Sequence, residues 1–233
     1  MIITISTHDE FYLNQLIAFL TSIDCNSPEH VVNVFLANYP DSMKNKLTKA
    51  FKRHNFESRK VKLIDKRGIS FILFRIELVK ECFEKHQENA VWIDTDVLVR
   101  SDLTQFLEIK PKQLKILFRG NHVIEEGRFN AGIFNMGYSD ETHKLTNDWY
   151  TQLQKNAIWG MGQLELWKAY KKNPNVELIE MPESYNDLGD STNNDSFAKD
   201  SLMWHCKRNH FNNKKFQKEF QYYLKMGKKN TGL

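Results

Sequence analysis

From Ile2 to Ile93 the chain alternates short apolar, β-branched runs with stretches whose apolar residues recur every three or four positions, and this pattern leaves few architectures open. Ile2 to Ile5 reads as a strand, and Leu13, Leu16, Ile17, Leu20 and Ile23 follow at helical spacing. Val31 to Leu36 predicts a second strand; Met43, Leu47, Ala50 and Phe51 a second helix; and Val61 to Ile64 a third strand. A helix from about Ser70 carries Phe71, Phe74, Leu78, Val79, Cys82 and Phe83 on one face, and Ala90-Val91-Trp92-Ile93 closes the series as a strand. The alternation implies an α/β fold with a mostly parallel central sheet and helices on both faces. Past Asp102 the elements shorten: strands at Ile116 to Phe118 and within Phe129 to Met136, helices over Glu141 to Leu153 and Gln163 to Ala169. A polar loop from Glu183 to Asp200 then leads into the apolar Leu202-Met203-Trp204.

Several classes are excluded. With 233 residues, 41% of them hydrophobic and sixteen of them Phe, the chain can build a sizeable core, so neither disorder nor a disulfide scaffold is implied. Cys25, Cys82 and Cys206 are odd in number, far apart and without a Cys-x-x-Cys pair, which fits reduced thiols in a cytoplasmic protein. The first nine residues lack a basic leader and a long apolar core, unlike a signal peptide. No stretch approaches the roughly 20 apolar residues of a membrane span. The formal charge of +4 is the difference between +7 over Lys207 to Lys229 and −3 elsewhere, so the body of the chain is not a nucleic-acid binder.

Asp94-Thr95-Asp96 follows the apolar strand Ala90 to Ile93 and precedes a second apolar run, Val97-Leu98-Val99. In open α/β sheets ligands gather outside the carboxyl ends of strands, which is where this pair falls. Two carboxylates one residue apart, where the chain leaves the pleat, can place oxygens on one hard divalent cation. Such a cation would bridge a diphosphate and neutralise its charge. Neither Gly-x-Gly-x-x-Gly nor a Gly-Lys-Ser/Thr loop is present, so phosphates must be held another way. An Asp-x-Asp arises by chance about once in a chain this long, so position carries the argument. The plainer reading, in which the acids cap the turn before Leu103, stands beside it.

The block Trp92 to Leu103 resembles the Asp-x-Asp segment of GT-A glycosyltransferases, in particular family eight, the glycogenin and lipopolysaccharide galactosyltransferase type. Phe74-Arg75 upstream and Phe129-Asn130-Ala131-Gly132 downstream resemble further blocks of that family in the same order. Gly162-Gln163 falls where the family has Asp-Gln, and Trp204-His205 where it has a metal-binding His. Ser6, His8 and Phe11 lie in a segment similar to the one that cups the base, with Phe11 at the stacking position. Two departures stand out: Gly162 replaces the family's Asp, and Cys206-Lys207-Arg208 follows His205 where a Gly and then Lys-Pro-Trp are usual.

The resemblance implies one GT-A domain over residues 1–233, with a nucleotide-binding half (1–105), an acceptor half (106–206) and a basic tail (207–233). It implies a hexosyltransferase acting on a nucleotide-diphosphate sugar, UDP-linked by analogy, with a glycan or lipid-linked acceptor and retention at the anomeric carbon. Asp94, Asp96 and His205 would bind Mn2+ or Mg2+, a set suited to Mn2+. Arg75, Thr95, Asn130, Ala131, Gly132, Gln163, Lys207 and Arg208 would complete the nucleotide-sugar site, Gln163 lining the sugar's far face. Two other readings remain open: a haloacid-dehalogenase-like phosphatase with Asp94 as nucleophile and Asp96 as acid/base, and a non-catalytic sugar-nucleotide-binding relative, given Gly162. In the tail, Phe216, Phe220, Tyr223 and Leu224 recur at helical spacing among lysines. That pattern describes either a peripheral membrane contact or a helix docked through its aromatics with its lysines in solvent.

Overall fold

The computed structural model describes residues 1–62, 69–118, 129–155, 161–189, 197–206 and 213–232. In chain order its elements are β1 (Ile2–Thr7), α1 (Glu10–Asn26), β2 (Val32–Ala37), α2 (Asp41–Ala50), β3 (Asn55–Arg59), α3 (Ile69–Glu81), β4 (Ala90–Ile93), β5 (Val97–Val99) and α4 (Thr104–Leu107). They continue with β6 (Gln113–Phe118), β7 (Phe129–Met136), α5 (Asp140–Lys155), α6 (Met161–Lys172), β8 (Glu177–Glu180), β9 (Met203–His205) and α7 (Lys214–Thr231). Seven strands hydrogen-bond in the order β3-β2-β1-β4-β7-β6-β8, while β5 and β9 form a separate two-stranded sheet. The pairs β2/β3, β1/β4 and β6/β8 are parallel, and β7 runs against both its neighbours. The expected α/β fold with a mostly parallel central sheet is what forms.

The third strand differs from expectation. It is Asn55–Arg59, paired in register with Asn33 to Ala37, and not Val61 to Ile64. Val61 and Lys62 are in no strand, and positions 63 and 64 lie outside the described residues. β3 is an edge strand whose side chains are half-buried or exposed, so it shows no apolar run; its place is set by backbone pairing with β2.

The chain divides into two compact units. One comprises Met1–Ile3, Val61–Ile93 and Leu107–Met181; the other Thr4–Lys60, Asp94–Phe106 and Pro182–Leu233. In the first unit β7 is buried at all eight positions, because it is covered on both faces. Phe134 meets Trp149 edge-on at 5.8 Å, and Phe129 meets Trp167 at 5.0 Å, geometries aromatic quadrupoles favour.

In the second unit α1 begins at Asp9, whose carboxylate accepts from the Phe11 N–H at 2.9 Å, satisfying an orphan amide of the first turn. α7 is capped at both ends, by Asn213 accepting from the Lys215 and Phe216 amides and by Gly232 in the left-handed region at φ 66°, the conformation glycine adopts without strain. Phe216, Phe220, Tyr223 and Leu224 are buried, and α7 packs on α1. The apolar face of the tail is therefore spent within the unit, as the docked-helix reading expects. Among the described residues no helix is long and apolar enough to cross a membrane.

The α1/α7 contact is close enough to require a glycine. A Cβ on Gly227 would overlap Ile17 Cγ2 and Thr21 Oγ1, both on β-branched side chains with little rotamer freedom in a helix. Gly227→Ala should lower the unfolding free energy by about 2 kcal/mol, the scale of a core overpacking, despite alanine's better helix propensity. A urea titration reads this directly, and an unchanged midpoint would mean that α7 is not seated so closely on α1.

Candidate active site

Past Ile93, where β4 and the first unit's segment end, the chain turns through Asp94-Thr95-Asp96 and enters β5 in the second unit. β5 pairs antiparallel with β9, so that Val97 faces His205, Leu98 faces Trp204 and Val99 faces Met203. The register does the positioning: His205, the last residue of β9, lies opposite the residue that follows Asp96. The Cys206 amide donates to the Asp96 carbonyl at 2.9 Å, extending the ladder by one bond. One ligand atom each from Asp94, Asp96 and His205 falls within 4.8 Å of the others. Two half-buried carboxylates and a buried imidazole thus converge although more than a hundred residues separate them in sequence.

His205 Nε2 stands 3.2 Å from Asp96 Oδ1, with side-chain exposures of 2% and 25%. His205 Nδ1 stands 2.9 Å from the Asn186 side-chain oxygen. An amide oxygen only accepts, so this contact places a proton on Nδ1 and turns Nε2 toward Asp96. Asp96 Oδ1 is itself buried without a hydrogen-bond partner among the described residues. A buried imidazole nitrogen and a carboxylate oxygen thus meet at ion-pair distance beside Asp94, a donor set that also suits a divalent cation. The residues present fit the expected cation on this ground. The neighbouring Cys206 thiol is pushed well up by burial, with the Asp96 charge adding to it, and stays protonated.

Of the segment expected to cup a base, Ser6 is buried and its hydroxyl is 2.9 Å from the Tyr39 hydroxyl, while the His8 ring meets Tyr39 edge-on at 5.4 Å. Phe11 is 41% exposed and meets the Tyr12 ring edge-on at 5.4 Å. Burial pushes the Tyr39 hydroxyl up to about 12, so it remains a neutral hydrogen-bonding group. Thr95 is buried in the turn between the two acids.

The remaining described residues belong to the first unit. Arg75, on α3, donates from Nη1 to the Ala131 carbonyl at 2.6 Å and lies over the Trp92 ring at 4.8 Å. Asn130 is buried on β7; its side-chain oxygen accepts from the Gly132 amide at 3.0 Å, and its Nδ2 has no partner among the described residues. Gln163 is the third residue of α6 and half-buried. Lys207 and Arg208 lie outside the described residues.

Sequence reasoning missed Asn186, Tyr39 and the platform role of Trp92. Tyr39 lies two residues past the end of β2, so the strand-end rule that singled out Asp94 and Asp96 also reaches it. Asn186 had no comparable signal, because its place depends on the pairing of Asp187 with Trp204.

No protein-family model matches the chain, and no curated protein matches it by sequence. Solved structures do match, and the fold they share with this chain is that of GT-A glycosyltransferases. The apo-form glycosyltransferase GlyE of Streptococcus pneumoniae TIGR4 superposes with a TM-score of 0.69 at 15% identity, over 99% of this chain and 61% of its own. The bifunctional glycosyltransferase WbbM gives 0.70 at 15%, over 95% and 49%. The galactosyltransferase LgtC, solved with donor and acceptor sugar analogues, gives 0.65 at 14%, over 95% and 96%. This chain thus spans 61% of GlyE and about half of WbbM, and at these identities the likeness is one of fold.

The donor set generates a test that needs no substrate. Asp96→Asn replaces a charged oxygen ligand with a neutral amide, a weaker partner for a hard cation. The variant should lose the thermal stabilisation that Mn2+ gives wild type. A variant that still gains from Mn2+ would remove Asp96 from the ligand set.

Proposed function

We propose that this chain transfers a hexose from a nucleotide-diphosphate sugar, a UDP-sugar by preference, to a hydroxyl of a glycan or lipid-linked acceptor, with retention at the anomeric carbon. The convergence of Asp94, Asp96 and His205 at the end of β4 is the observation that carries this reading, and the shared fold supports it. A Mn2+ or Mg2+ ion bound there supplies a positive charge that holds the donor diphosphate and stabilises it as it leaves. Asp94 and Asp96 would contribute the hard oxygen ligands and His205 an imidazole nitrogen.

In the reaction the bond from the anomeric carbon to the diphosphate oxygen breaks, and its electron pair stays with the nucleoside diphosphate. The acceptor oxygen bonds to the anomeric carbon, and its proton passes to an oxygen of the departing diphosphate. No enzymatic nucleophile is required. Phe11 offers a stacking face to the base, with Ser6 and His8 beside it. Arg75 and Asn130 suit donor hydroxyls or phosphate, since the Arg fork and the buried Asn amide present donors to acceptor oxygens. Ala131 and Gly132 offer backbone groups, and Gln163 an amide, to the sugar; Lys207 and Arg208 are assigned to phosphate on charge.

The outward face of α7 presents Lys214, Lys218, Lys225 and Lys229 with the exposed Tyr222. This basic face, not the buried aromatics, is the part of the tail available to an anionic surface bearing a lipid-linked acceptor. Purified protein should co-sediment with phosphatidylserine vesicles, and Lys218→Glu with Lys225→Glu should reduce the bound fraction severalfold at low salt; equal binding would remove the membrane from this reading.

The decisive assay is thermal stabilisation by nucleotides and nucleotide sugars with and without Mn2+, since specific ligands raise stability by mass action. A shift of several degrees with UDP or a UDP-sugar that depends on Mn2+ is expected. No shift with any nucleotide, together with hydrolysis of a simple phosphate ester, would replace the transferase with a phosphatase acting through Asp94.

A further inference from the structure

We infer that Asn186 is a positioning residue for the cation site: it fixes the tautomer and ring orientation of His205 so that Nε2 faces Asp94 and Asp96. The inference rests on the proposed cation-binding reading. Asn186 is 1% exposed and His205 2%, so neither side chain has water to replace the 2.9 Å contact between them. Buried imidazoles with one nitrogen on an acceptor are held in a single tautomer, with the other nitrogen free to ligate.

The backbone around Asn186 is built to keep it there. Its amide donates to Glu183 O at 2.9 Å, closing the turn Glu183–Tyr185. One residue on, the Asp187 amide donates to Met203 O at 3.1 Å and the His205 amide donates to Asp187 O at 2.8 Å. Asn186 and His205 are therefore locked to each other through main-chain bonds as well as side chains. The Asp187 carboxylate strengthens the lock, accepting from the Gly189 and Ala198 amides at 2.9 Å each and from the Ser201 hydroxyl at 2.6 Å.

Asn186 Nδ2 is buried with no partner among the described residues, so among them the amide's contact is the one to His205 Nδ1. A carboxylate at this place would accept equally well, but it would bury a further charge beside Asp96 in the metal-free protein. An amide orients the ring without that charge.

The test is Mn2+ affinity of the full chain by titration calorimetry, with metal-free melting temperature alongside. Asn186→Leu removes the acceptor at similar volume and should weaken Mn2+ binding by about 10- to 100-fold, the range for loss of an outer partner of a metal-bound histidine. Asn186→Asp keeps the acceptor and should bind Mn2+ at least as tightly as wild type while melting lower without metal. Wild-type affinity in Asn186→Leu overturns the inference, as does a tenfold loss in Asn186→Asp, which stands as the test by itself should the leucine variant not fold. Asp96→Asn separates the two levels: if it too binds Mn2+ like wild type, the cation site itself is wrong, whereas if it loses binding while both Asn186 variants keep it, only the positioning role fails.

Discussion

Three residue pairs, Val97 with His205, Leu98 with Trp204 and Val99 with Met203, hold the second unit's chemistry in place. A ladder this short is not stable by itself, so the question is what supports it. All six residues are buried, which supplies the apolar contribution. Asn26, at the end of α1, donates to Val99 O at 2.9 Å, and Ser22 accepts from the Val99 amide at 3.0 Å. α1 thus supplies the hydrogen-bonding partners that a third strand would otherwise provide.

Arg100 fastens the other side. Its guanidinium lies 3.8 Å from the centre of the Trp204 ring and reaches both Glu219 carboxylate oxygens at 3.0 and 3.3 Å. Its Nη1 donates to the carbonyls of Lys199 and Ser201 at 2.7 and 3.2 Å. Lysine could not make this set, because it lacks the planar fork that stacks and donates at once. Through this side chain α7 and the segment before β9 bear on the strand that ends in His205. The basic tail has a structural duty, and this explains why its aromatics face inward.

The strand and helix order was legible wherever apolar residues were periodic: β4 and β7 lie where the pattern puts them, α5 and α6 extend past their expected limits by a few residues, and α3 ends at Glu81, with Cys82 and Phe83 in a π-helical turn that follows it. The pattern failed at β3, where an edge strand exposes both faces and Val61 to Ile64 offers a more apolar decoy. The acids at 94 and 96 were legible because a strand end, a local feature, selects them. His205 came only from the family resemblance, and its convergence with the acids depends on β5–β9 register, which no local pattern encodes. Asn186 and Tyr39 act through partners distant in sequence, so their residue types alone carried no signal.

Gly162 shows how packing can decide a chemical position. A Cβ there would approach Ile72 Cγ2 on α3 to 2.9 Å, and the Gly162 carbonyl accepts from the Trp149 indole at 2.8 Å. An aspartate, the residue at this place in the family the chain resembles, would have to displace Ile72 before its carboxylate met anything. The next acid on that face, Glu165, is fully buried and paired with Lys168 at 3.0 Å, so it serves α6 itself. The start of α6 therefore contributes an amide, Gln163, and no free carboxylate at 162. Packing against Ile72 thus accounts for a glycine at 162 without appeal to chemistry.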